Sequence, residues 1–118
     1  MTTNNDSKPS FHAYDVAVEL ARAARPLVER IERRDRALAV QLRRALSSAG
    51  LNIREGNRLV GGDRLHSFRI RAGSADEVVG ALEIAEALGY VGRAEIAPSL
   101  ALADRVLAML YRLTTPRR

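Results

Sequence analysis

"LAVQLRRALSSAGLNIREGNRLVGGDR", residues 38–64, decides how this chain folds. Leu38, Leu42, Ala45, Ala49, Ile53 and Gly56 recur at steps of three and four, so they line up as one stripe along a helix. The opposite face carries Val40, Arg44, Ser47, Leu51, Arg54 and Arg58, a mixture of aliphatic and cationic groups that a purely solvated face does not usually show. Asp35, just ahead, can accept hydrogen bonds from the free amides of a first turn, which sets the helix at about 36–59. Gly61 and Gly62 break it, and Asp63 is placed to cap a third helix from 63.

The same period extends outward in both directions. Upstream, Val16, Leu20, Ala23, Leu27 and Ile31 give a helix over about 11–34, bent near 22–26 because Pro26 removes an interior hydrogen bond. The polar, patternless "MTTNNDSKPS" (1–10) reads as a disordered arm. Downstream, the third helix runs to about 88, where Gly89 is the natural left-handed C-cap and Tyr90 can pack back across the turn. Ile96, Leu100, Ala103, Leu107 and Leu110 form the stripe of a fourth helix over 93–114, with Pro98 tolerated in its first turn. "TPRR" (115–118) is a basic tail. Four amphipathic helices on short loops predict one all-α domain over 11–114, an antiparallel up-down-up-down bundle.

The third helix is apolar over too wide an arc. Phe68, Ala72, Ala75, Val79 and Leu82 lie beside Ile70, Ser74, Val78, Ala81, Ala85 and Leu88, together covering roughly 200°, about twice what one bundle core needs. Self-association accounts for the excess, with Val40, Leu51, Ile70, Ser74, Val78 and Ala81 as candidate interface residues. Arg71 falls inside the arc, where a buried guanidinium needs a carboxylate or phosphate.

Composition narrows the function. With no cysteine there is neither disulfide nor thiolate metal site, and no charged-then-apolar leader or membrane-length apolar run is present, so a cytoplasmic protein is expected. Charge is segregated: residues 43–71 hold seven arginines against Glu55 and Asp63, a net of +5, whereas 72–104 hold six acids against Arg93, a net of −5. Arg43, Arg44, Arg54, Arg58, Arg64, Arg69 and Arg71 are therefore candidate nucleic-acid contacts, since a planar guanidinium bridges phosphate oxygens. Eighteen arginines to one lysine also fits a G+C-rich genome. Aromatics make up only 4% of the chain, so binding is expected to be weakly sequence-specific and strongly salt-dependent.

Nothing nominates catalysis, a cofactor or a metal. His12 and His66 are far apart and neither has a second imidazole at helical spacing, and the pairs Asp76/Glu77 and Glu83/Glu86 lack the Glu-x-x-His of carboxylate metal bundles. "VGGDR" has neither the order nor the preceding strand of a phosphate loop, and no histidine lies near Ser47 and Ser48 to activate them.

"QLRRALSSAGLNIREG" (41–56), with Gln41, Asn52, Glu55 and Gly56, resembles the helix 2 core of the four-helix-bundle proteins encoded in intervening sequences of bacterial 23S ribosomal RNA genes. "IRAGS" (70–74), with Gly73 and Ser74, followed by Glu77, resembles that family's next motif, and "ALGYV" (87–91), with Gly89 and Tyr90, and "MLYRL" (109–113) continue the likeness in order. The resemblance implies a homopentameric barrel and no catalytic residues. It extends to the accessory variability determinants of diversity-generating retroelements, which bind nucleic acid and a reverse transcriptase. Three positions depart from the pattern: Ala17 stands where the family has a bulky aromatic, Gly50 where it has a proline, and Arg71 where it has an alanine. Arg71 is then expected either to pair with Glu55 or to enlarge the basic surface.

The expectation is a non-enzymatic homo-oligomer, pentameric by resemblance, whose helix 2–3 arginines engage RNA or DNA. The alternative is a protein-interaction scaffold with no nucleic-acid role, in which the basic and acidic segments meet each other or a protein such as a reverse transcriptase.

Overall fold

A computed structural model describes residues 9–56 and 61–114, with the side chains of 12–55, 66 and 69–112. The described residues form four helices and no strand: α1 (Pro9–Arg34), α2 (Arg36–Gly56), α3 (Gly61–Ala87) and α4 (Arg93–Thr114). α1 packs on α2 and α4, and α3 packs on α2 and α4, so the helices surround a shared core. That core is aliphatic and alanine-rich. Leu20, Leu27, Ile31, Leu42, Leu82 and Ile96 fill one end, and Ala13, Val16, Ile53, Ala75, Val106 and Leu110 fill the other.

Several element boundaries differ from the sequence reading. α1 starts at Pro9, inside the expected arm, because proline has no N–H to leave unsatisfied and its φ is already helical. It continues through Pro26 without interruption, and Pro26 is exposed, with its ring away from the core. Gly61 and Gly62 open α3 instead of preceding it, and Asp63 lies within the first turn. Glycine at a helix start costs little relative to a polar cap. Residues 57–60, which include the last expected turn of the second helix, lie outside the described residues, as do 1–8 and the 115–118 tail. Pro98 is the sixth residue of α4, one turn later than expected.

The connections at one end are closely specified. Asp35 alone joins α1 to α2, and its Oδ1 accepts from the Leu38 amide at 3.0 Å, the expected cap. Gly89, at φ 81°, ends α3: its amide donates to the Glu86 carbonyl at 3.0 Å and the Tyr90 amide to that of Ala85 at 2.9 Å. These two bonds form a Schellman motif, which requires a left-handed residue where an L side chain is strained. The Glu95 carboxylate reaches back to the Gly92 amide at 2.6 Å, capping α4, and also pairs with Arg30 of α1. Tyr90 reaches further than a pack-back across its own turn. Its hydroxyl donates to Asp35 Oδ2 at 3.1 Å, tying the α3–α4 turn to the α1–α2 connection.

Candidate nucleic-acid interface

The structure divides the arginines that the sequence grouped. Arg71 does not belong to any surface: it is fully buried, and its Nη1 donates to the Asn52 carbonyl at 2.9 Å across the α2–α3 contact. A phosphate cannot reach it there, and its described bond goes to Asn52, whereas Glu55 is exposed. The guanidinium fills the space between two helices and satisfies a carbonyl, a structural use of a charge that segment counting cannot separate from a surface one. Arg43 is exposed but paired with Glu32 of α1 at 3.0 Å. Arg44, on the outer face of α2, is exposed, with no ion pair among the described residues. Arg58 and the side chain of Arg64 lie outside the described residues.

Arg54 and Arg69 remain, and the fold gives them company. The core cluster shared by Ala13, Ile53, Ala75 and Leu110 places the start of α1, the end of α2, the first half of α3 and the end of α4 at one end of the molecule. The helix segments at that end carry Arg54, Arg69, Arg112 and His66, all exposed, against Asp15 and Glu55. The Arg54 guanidinium lies over the ring of Tyr14, 5.2 Å from its centroid, and Tyr111 of α4 is 70% exposed. Tyr14 thus joins a cation directly, and Tyr111 follows Leu110 of the same core cluster. The sequence reading missed Arg112 and both tyrosines, since only the fold brings α1 and α4 to the end of α2.

A second basic corner was also missed, although its "RRDR" (33–36) is plain in the sequence. Arg33, Arg34 and Arg36 are exposed at the opposite end. Arg93, at the start of α4, is exposed at the same end, while Arg34 lies 5.5 Å from the Tyr90 ring centroid and Arg30 meets Glu95. The bond from the Gly92 amide, then Arg30, holds the Glu95 carboxyl below its ordinary value. Donation to Asp35 raises the Tyr90 hydroxyl above its own.

The candidate interface residues divide too. Leu51 and Ile70 are 58% and 48% exposed, and Val40 and Ala81 are half-buried, so all four are at the surface. Ser74 and Val78 belong to the core, because the wide apolar arc of α3 has one flank turned inward. Ile84 and Leu88, 52% and 55% exposed, are interface-type residues outside the earlier set. Of the family-motif positions, Gln41, Gly73, Glu77 and Gly89 are exposed, Asn52 and Tyr90 are half-buried, and Ser74 Oγ donates to the Ile70 carbonyl at 3.4 Å. Glu55 is exposed, and the Gly56 environment lies outside the described side chains.

No group of three or more histidine, aspartate or glutamate side chains converges as a metal site among the described residues, and no helix there is long and apolar enough to cross a membrane. Among known proteins, a solved structure from Bacteroides thetaiotaomicron, described as a protein of unknown function from the S23 ribosomal protein family, has a TM-score of 0.79 at 19% identity. The match covers 88% of this chain and 99% of that one, which supports the fold alone. None of the curated proteins matches. The family model described as 23S rRNA-intervening sequence protein matches residues 10–112. From the first helix to the last, the chain belongs to the 23S rRNA-intervening sequence protein family.

Proposed function

We propose that this protein is a non-enzymatic, cytoplasmic, homo-oligomeric bundle that binds RNA or DNA phosphates, with Arg54, Arg69 and Arg112 as principal contacts. The observation that carries the reading is the gathering of these three arginines with Tyr14 and Tyr111 at one end of the molecule. Guanidinium groups supply sequence-independent attraction to phosphate, Tyr14 holds the Arg54 guanidinium, and the exposed Tyr111 ring offers a stacking face to an unpaired base. The up-down-up-down course is part of the proposal, supported by one-residue and five-residue connections and by the ring of helix neighbours. The pentamer and the kinship with accessory variability determinants rest on the family resemblance.

The test is binding of the full chain to a structured RNA and to single-stranded DNA across a salt series. The expected result is micromolar or tighter binding that weakens steeply with salt. Neutralising Arg54, Arg69 and Arg112 together should flatten the log–log slope by about two to three. Binding that survives this change, or that disappears instead when Arg33 and Arg36 are neutralised, overturns the site. A multimer that dissociates in salt and ignores both nucleic acids favours the scaffold reading, for which the −5 segment of 72–104 is the supporting observation. A gene position beside a reverse transcriptase would support the retroelement kinship.

A further inference from the structure

The outward face of α3 has the marks of a helix contact that the single chain does not make. Ile70, Gly73, Glu77, Gly80, Ile84 and Leu88 fall within about 80° of arc at helical spacing. The three large residues among them are roughly half exposed. Gly73 and Gly80 are exposed inside a continuous helix, and nothing lies within 4 Å of where a Cβ would stand on either. Glycine weakens a helix interior relative to alanine, and nothing in the chain's own packing requires it at these two positions. Close approach of another backbone would. Between α2 and α3, Gly80 and Ala81 open a groove of about 310 Å³ lined also by Leu38, Gln41, Glu77 and Ile84. That is room for one large aliphatic side chain.

The complementary surface is on the same chain. The outer face of α2 presents Val40, Ser47 and Leu51 around Arg44, as the α3 face presents its apolar and small residues around Glu77. Neither Arg44 nor Glu77 has an ion pair among the described residues. The α2 face is therefore apolar and cationic, with Arg44 at its centre and Arg43 and Arg54 at its margins, whereas the α3 face is apolar around an acid, so the two are opposite in charge. Pairing α3 with a second α3 would instead bring Glu77 and the neighbouring Asp76 and Glu83 toward their own copies, which like-charge repulsion disfavours.

We propose that the α3 face of one copy docks on the outer α2 face of the next, with Glu77 meeting Arg44, Leu51 entering the groove beside Gly80, and the glycines admitting the incoming helix. This rests on the self-association half of the reading above and specifies its geometry. The contact is heterologous, so each copy offers one donor face and one acceptor face.

Light-scattering mass of the full chain tests this with Gly80→Gln, Arg44→Glu, Glu77→Arg and the double charge reversal. The expected result is a multimeric parent, loss of the multimer in each single variant with helix content retained, and recovery in the double reversal. Gly80→Gln should also melt no lower than the parent measured as monomer, since the change improves the helix while blocking the contact. If Gly80→Gln dissociates the assembly but Arg44→Glu does not, the partner face is wrong and the proposal falls. If the parent is multimeric and no variant alters its mass, the face assignment alone fails. A monomeric parent removes both this inference and the self-association reading, and leaves nucleic-acid binding to its own test.

Discussion

Arg71 shows how far one residue's role depends on what surrounds it. Its side chain fills the α2–α3 contact and donates to the Asn52 carbonyl, so removing it opens a cavity and loses that bond between the helices. Arg71→Ala is expected to lower stability by about 2–4 kcal/mol in a denaturant titration, while RNA affinity per folded molecule stays unchanged. Glu95 makes a pH-dependent contribution. Its carboxyl is held below the ordinary value of 4.5, so the stabilisation is present above that pH and fades as acid protonates the folded form. The difference in Tm between the parent and Glu95→Ala should therefore shrink on acidification below pH 4.5, and a constant difference would show that the cap acts without its charge.

At the scale of the element, helix ends are decided by a few backbone groups. Gly89→Ala forces a Cβ into the left-handed region and should cost about 1–2 kcal/mol, read by thermal melting. Gly50→Ala is the contrasting change, since nothing lies within 4 Å of its added carbon. Gly50, which stands where the family resemblance has a proline, thus sets no close helix contact. The four helices were legible because apolar periodicity reports one buried stripe, and the Asp35 and Gly89 caps were legible because each follows from a single residue's chemistry. The start of α3 was not. A glycine pair signals a break but does not say on which side of it the helix resumes. Nor could periodicity divide the wide α3 arc, since Val78 inward and Ile70 outward are equally apolar.

At the scale of the whole molecule, the charge segregation seen in one dimension becomes a division of labour in three. One arginine is internal, one is paired with α1, one lies in an apolar patch on α2, and others collect at an end with two tyrosines. Segment charge was legible in the sequence, but this sorting was not, because Arg112 and Tyr14 join Arg54 only through the contacts of α1 and α4 with the rest. The arrangement also has a practical side. Ala13 and Leu110 share one core cluster, so the outer ends of α1 and α4 stand together, next to Arg54 and Tyr14. A bulky label attached at the first turns of α1 or the last turn of α4 would crowd the very surface whose ligands are sought. Binding screens are better run on untagged protein, or on protein immobilised through the opposite end, near Asp35 and Tyr90.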